Sequence, residues 1–173
     1  MKKFLLLVVF YFFFNPIAAN SQSFFQEEYP KVWKRAANYS IAVAEAMPED
    51  LYDLKVHPEA MSFKEQQLHM VTNISFLTRL ISDEKRTFYD RENINDLSKK
   101  EVLGILETSF SYVAALIESM EAEEVSQKIE FNNESISKKN IFYLLRDHMT
   151  HHRGQSVIYL RIKNIDIPEY IGW

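Results

Sequence analysis

Only 3 Gly and 5 Pro interrupt the 173 residues of this chain, and that scarcity restricts its fold more than any other feature. β-Sandwiches and barrels turn every 8–12 residues or so and draw on these two residue types at each turn. Helices exclude them from their interiors. A 47% apolar content is ample for a packed core, and the length is that of one domain. The expectation is therefore an all-α, single-domain fold.

Apolar residues at spacings of three and four mark four long helices. The first runs over about residues 26–47, with Tyr29, Trp33, Ala36, Ser40, Val43 and Met47 on one stripe, and stops at Met47-Pro48-Glu49-Asp50. A linker containing His57-Pro58 follows. Ser62-Phe63-Lys64-Glu65 is a capping box, so the second helix opens at Ser62 and reaches about Ile81. Its core stripe is Met70, Ile74, Leu77 and Ile81; His69, Asn73, Phe76 and Leu80 form the neighbouring stripe. Residues 82–97 are charged and broken in pattern, a long connection with room for a short helix around 86–89. Ser98-Lys99-Lys100-Glu101 is a second capping box and opens the third helix, with Val102, Ile105, Ser109, Tyr112, Leu116 and Met120 facing the core. Residues 121–136 read as a loop. The last helix covers about residues 137–163, with Ile141, Leu144, His148, His152, Gln155, Tyr159 and Ile162 in a row, before Asp166-Ile167-Pro168 ends it. Four helices of about 20 residues make a four-helix bundle, and the long connection between helices 2 and 3 permits an up-down or a crossover topology.

The N-terminus has a different character. Lys2 and Lys3 precede an unbroken apolar run, Phe4 to Phe14, then Asn15-Pro16 and the small residues Ala18-Ala19-Asn20-Ser21. That is the layout of a secretory signal peptide over residues 1–21, cleaved after Ala19 or Ser21, with residues 22–173 as the mature domain. The apolar run is about half the roughly 20 residues of a spanning helix. No other segment reads as long and apolar enough to span, so no stable membrane anchor is expected after cleavage. The expected destination is the periplasm or the exterior of a bacterial cell envelope.

Removing Lys2 and Lys3 takes the net charge from −4 to about −6, which argues against a nucleic-acid or anionic-membrane partner. The chain has no Cys. Stability must come from packing, any metal must be held by His and carboxylate groups, and a lipid anchor on an N-terminal cysteine is excluded. Asn-x-Ser triplets at Asn38, Asn73 and Asn133 matter only in a eukaryotic secretory route, and are read as chance.

Three of the five histidines lie in His148-Met149-Thr150-His151-His152-Arg153. On a helix, residues four apart share a face, so His148 and His152 point together while His151 is turned about 100° from His152. Two imidazoles at this spacing can reach one ion. Spacing alone also fits buried histidines with hydrogen-bond partners. His69 is the natural third ligand, being the only other histidine at an inward-facing helical position. Three neutral imidazoles suit Zn²⁺, Ni²⁺ or Fe²⁺ and leave a coordination position open.

The run His148-Met149-Thr150-His151-His152-Arg153-Gly154-Gln155 resembles the H-x-x-x-H-R-G-Q signature of the DinB/YfiT-like family. Gln67-Leu68-His69-Met70 is similar to the segment carrying that family's first ligand, and Asp166-Ile167-Pro168-Glu169-Tyr170 looks like its tail after the last helix. The resemblance extends from about Phe25 to the C-terminus. It implies a four-helix bundle with a three-histidine metal site, often a homodimer, in a family commonly described as metal-dependent enzymes acting on small molecules. Some relatives use low-molecular-weight thiols in transferase or isomerase reactions. An export signal departs from that pattern and sets this chain apart from cytosolic thiol chemistry.

Other residues carry less. Gln155 is placed to orient a ligand or a bound water, and Gly154 to allow close packing against a neighbouring helix. Asp147 and His151 read as a solvated pair. Glu65 is within a turn of His69, but its capping role already explains it. Tyr29, Trp33, Tyr39, Tyr112 and Tyr159 read as core. The expected function is a metal-dependent reaction, hydrolytic or thiol-dependent, with no catalytic residue assigned; a non-catalytic metal-binding or interaction bundle is the alternative.

Overall fold

A computed structural model describes the backbone of residues 17–171 and the side chains of residues 25–171. Most of the expected signal segment, residues 1–16, lies outside this range. Among the described residues four long helices are present: α1 (Ile17–Ala46), α2 (Phe63–Thr78), α3 (Lys99–Ser119) and, after a short α4 (Ala122–Ser126) and a hairpin, α5 (Lys138–Ile162). α1 starts well before the expected residue 26 and contains Pro30 in its interior. A proline there costs about 3 kcal/mol, and buried side chains on both sides of it hold the helix together. Phe25, Tyr29 and Trp33 are all within the core. The Tyr29 hydroxyl donates to the carbonyl of Phe142 on α5, and Trp33 Nε1 donates to the carbonyl of Phe110 on α3 at 3.0 Å.

Both capping boxes form. Glu65 N–H donates to Ser62 Oγ at 3.1 Å and the Glu65 carboxylate accepts from Ser62 N at 2.5 Å; Ser98 and Glu101 repeat the pattern. Lys99, in the first turn of α3, donates its ammonium to the carbonyls of Glu45 and Met47 at the end of α1. A cation there complements the negative end of the helix dipole. Just past the end of α5, Asn164 has a left-handed φ of 53°, with Ile165 N–H bonded to Leu160 O and Asn164 N–H to Arg161 O. This is a Schellman turn, which stops the helix before Pro168 is reached.

The helices pack in the pairs α1–α3, α1–α5, α2–α3 and α2–α5. Helices consecutive in the main bundle, α1 with α2 and α3 with α5, therefore stand diagonally opposite. The crossover arrangement is realised, and it sets α2 beside α5.

Five expectations need correction. The connection over 82–97 has no helix at 86–89; a 3-10 segment forms instead at Arg91–Asp96, because Asp90 Oδ1 accepts from Glu92 N–H and starts it. Residues 121–136 are not merely a loop: α4 is followed by an antiparallel hairpin, β1 (Lys128–Phe131) and β2 (Glu134–Ser137). Asn132 and Asn133 take φ of 51° and 64°, the two left-handed positions of a tight hairpin turn, and Ile129, Phe131 and Ile136 lean on the core. On α3 the buried stripe is Val102, Leu106, Ser109, Phe110, Val113, Ile117 and Met120, with Ile105, Tyr112 and Leu116 at its margin. α3 is itself long and apolar enough to cross a membrane by length and composition, contrary to expectation, but this stripe is packed in the bundle.

The fifth correction bears on the site. The core of α5 runs through Ile141, Phe142, Leu145, Met149, His152, Arg153, Ser156, Tyr159 and Leu160, whereas Leu144 and Ile162 of the expected stripe are exposed. The buried sector is turned by about one residue from the histidine row. His148 and Gln155 consequently sit at the border of core and solvent.

A candidate metal centre between two helices

His69 comes from the middle of α2, and His148 and His152 come from consecutive turns of α5. Their rings meet across the α2–α5 contact, with centroids 5.1 Å apart for His69–His148, 4.6 Å for His69–His152 and 4.4 Å for His148–His152. One ring nitrogen from each lies within 4.8 Å of the others. His152 is buried, and His69 and His148 are half-buried.

Gln66, one turn before His69 and itself buried, presents Oε1 to His152 Nδ1 at 2.6 Å. The amide oxygen can only accept, so His152 carries its proton on Nδ1 and keeps the Nε2 lone pair free. Burial pushes the His152 imidazolium down to about 3, with the neighbouring histidines adding to the effect. His148 is lowered to about 4 by burial and then by His69, and His69 is lowered by burial and then by the guanidinium of Arg91. All three rings are neutral at pH 7, the state a metal ligand requires. The donor set thus fits a divalent transition metal. Among the described residues no carboxylate joins the group.

The neighbouring residues sort differently from expectation. His151 points to solvent, and Gln155 Nε2 lies 2.8 Å from His151 Nε2, so Gln155 serves the histidine that is turned away and not a member of the cluster. Asp147 is engaged by Arg146 at 2.6 Å and not by His151. Glu65 is held by the Ser62 backbone and by Lys55 at 3.3 Å, and the Ser62 bond lowers its pKa. His57 stays in the linker, accepting from Glu59 N–H at 3.2 Å. Gly154 makes no close approach, since a Cβ there would meet nothing within 4 Å. The sequence pattern does not single out Gln66; its one signal is a polar residue three positions before His69, on the adjacent face of the same helix.

Two kinds of residue flank the histidines along the chain. Phe76, two turns beyond His69, and Leu144, one turn before His148, are exposed at 52% and 37%. On another side the Tyr89 hydroxyl donates to Leu68 O at 3.2 Å and lies 2.8 Å from Thr72 Oγ1, which ties the connection bearing Arg91 against α2 beside His69.

Fold and cluster define a class: a helical bundle whose two adjacent helices offer three neutral imidazoles to one point. The DinB family model matches residues 20–162, and the chain belongs to the DinB family. It is similar in structure to a DinB-like protein from Bacillus subtilis, with a TM-score of 0.66 at 18% identity over 82% of this chain and 95% of that one. A DinB-like protein from Bacillus cereus aligns with a TM-score of 0.65 at 16% identity, over 80% and 93% of the two chains. No curated protein sequence matches this chain.

Proposed function

We propose that this is an exported protein that holds a divalent transition metal (Zn²⁺, Ni²⁺ or Fe²⁺) through His69, His148 and His152 and uses it in a reaction on a small molecule, hydrolytic or thiol-dependent. The observation that carries this reading is the convergence of three neutral imidazole donors, within 4.8 Å of one another, without a carboxylate in the group. When bound, such an ion supplies Lewis acidity. Three protein ligands leave room for a substrate group, and the half-buried His69 and His148 keep the site open to solvent. Gln66 holds His152 in the tautomer that can bind. Export to the periplasm or the exterior is supported by Lys2, Lys3 and the Phe4 to Phe14 run, and a homodimer by the family resemblance.

Metal analysis of untagged, mature protein tests this. One ion per chain is expected, lost in His148→Ala and retained in His151→Ala; absence of a stoichiometric ion ends the proposal. Panels of esters, amides and thiol adducts then test for catalysis. A second reading, in which the ion mainly ties the bundle, is favoured by the ligands' division between α2 and α5. Loss of metal from His148→Ala with no change in melting temperature rules that out.

A further inference from the structure

We propose that α5 carries a second site on the face opposite its histidines: a pocket for a small oxyanion, a phosphate or carboxylate group, walled by Arg35, Arg146 and Arg153. At about 100° per residue, Arg146, Thr150 and Arg153 lie roughly opposite His148 and His152 around the helix. They face α1, where Arg35 and Tyr39 complete the wall, and Tyr170 of the C-terminal tail closes it. The cavity holds about 210 Å³, smaller than the roughly 300–1,000 Å³ of pockets for drug-sized ligands, and among the described residues no carboxylate lines it.

Among the described residues, Arg35 and Arg153 have no carboxylate partner. Arg153 is 9% exposed, yet among the described residues its Nη1 donates only to the neutral acceptors Ala36 O at 3.0 Å and Ser40 Oγ at 3.4 Å, and its Nη2 to Thr150 Oγ1 at 3.4 Å. The Tyr39 ring lies 5.0 Å from its guanidinium carbon, and Tyr170 packs edge-on against Tyr39. Arg35 Nε is buried with no partner. Arg146 is paired with Asp147 through Nε and Nη2, and Asp147 itself is exposed and not among the cavity's lining residues. Arg153's bond to Ala36 explains how α5 is tied to α1; it does not explain an orphaned N–H on Arg35 or a third guanidinium in a chain of net charge −4. A buried guanidinium such as that of Arg153 is costly without an anion, and planar N–H forks match oxyanions.

Inorganic phosphate and acetate, each titrated into the full-length mature protein against chloride at constant ionic strength, are the probes. Saturable binding of either is expected, with the Nε–H resonances of Arg35, Arg146 and Arg153 shifting, and the tighter anion identifies the group. Arg35→Gln should weaken binding at least tenfold without moving the melting temperature in chloride, and Arg146→Gln gives the same test at a second wall position. His148→Ala should bind as well as the parent. No saturable binding of either anion, binding undiminished in both arginine variants, or binding abolished by His148→Ala overturns the proposal.

Discussion

Gln66 Oε1 lies 2.6 Å from His152 Nδ1, linking α2 to α5 within the histidine cluster itself. The residue that orients one candidate ligand thus comes from the helix that supplies another, so the α2–α5 packing and the donor geometry are one arrangement. Groups that orient metal-bound histidines typically matter 10–100-fold in affinity. Gln66→Leu should weaken metal binding by roughly that factor, measured by competition with a chromogenic chelator, while the helical circular dichroism stays that of the parent. An unchanged affinity would show that the hydrogen bond is incidental.

The depressed histidine pKa values make the metal-free protein acid-sensitive. In the unfolded chain these imidazoles take up protons near pH 6.5, whereas in the fold His148 and His152 resist until about 4 and 3. Between those limits the unfolded state binds more protons, so stability falls as pH falls from about 6.5 toward 3. The urea midpoint of metal-free protein should be lower at pH 4.5 than at pH 7.5, and a His148→Ala/His152→Ala variant should show a shallower dependence. Equal slopes for parent and variant would place the sensitivity elsewhere.

Gly154 sits in the interior of α5, exposed, and a Cβ added there would have no neighbour within 4 Å. Glycine in a helix interior costs about 1 kcal/mol relative to alanine. Gly154→Ala should raise stability by about 0.5–1 kcal/mol in chemical denaturation and leave metal content unchanged. A loss of stability would reveal a close contact at this position.

Leu106 and Ile105 are adjacent on α3, but Leu106 is fully buried while Ile105 lies at the margin. Leu106→Ala should cost about 2–5 kcal/mol through lost burial and a residual cavity. Ile105→Ala should cost clearly less. Comparable losses would mean that the helix is rotated from the position described.

Periodicity, the two capping boxes and the scarcity of Gly and Pro are enough to read four helices, two of their starts and a bundle, because these depend on backbone geometry within a few residues. The shared direction of His148 and His152, with His151 turned aside, is equally legible, since a helix imposes it. The order of helices around the bundle is not. Nor is the rotation of each helix: a bundle helix buries the sector between its two neighbours, and the neighbours of α5 are α1 and α2, which local pattern does not name. That is why Leu144 and Ile162 read as core yet are exposed, and why His148 stands at the border of the core. Gln66 acquires its partner only when α2 and α5 come together, because residues 86 apart in sequence meet through packing alone. Helical spacing in the chain fixes which side chains can act together on one helix; which helix faces them, and so which groups surround the candidate centre, follows only from how the helices pack.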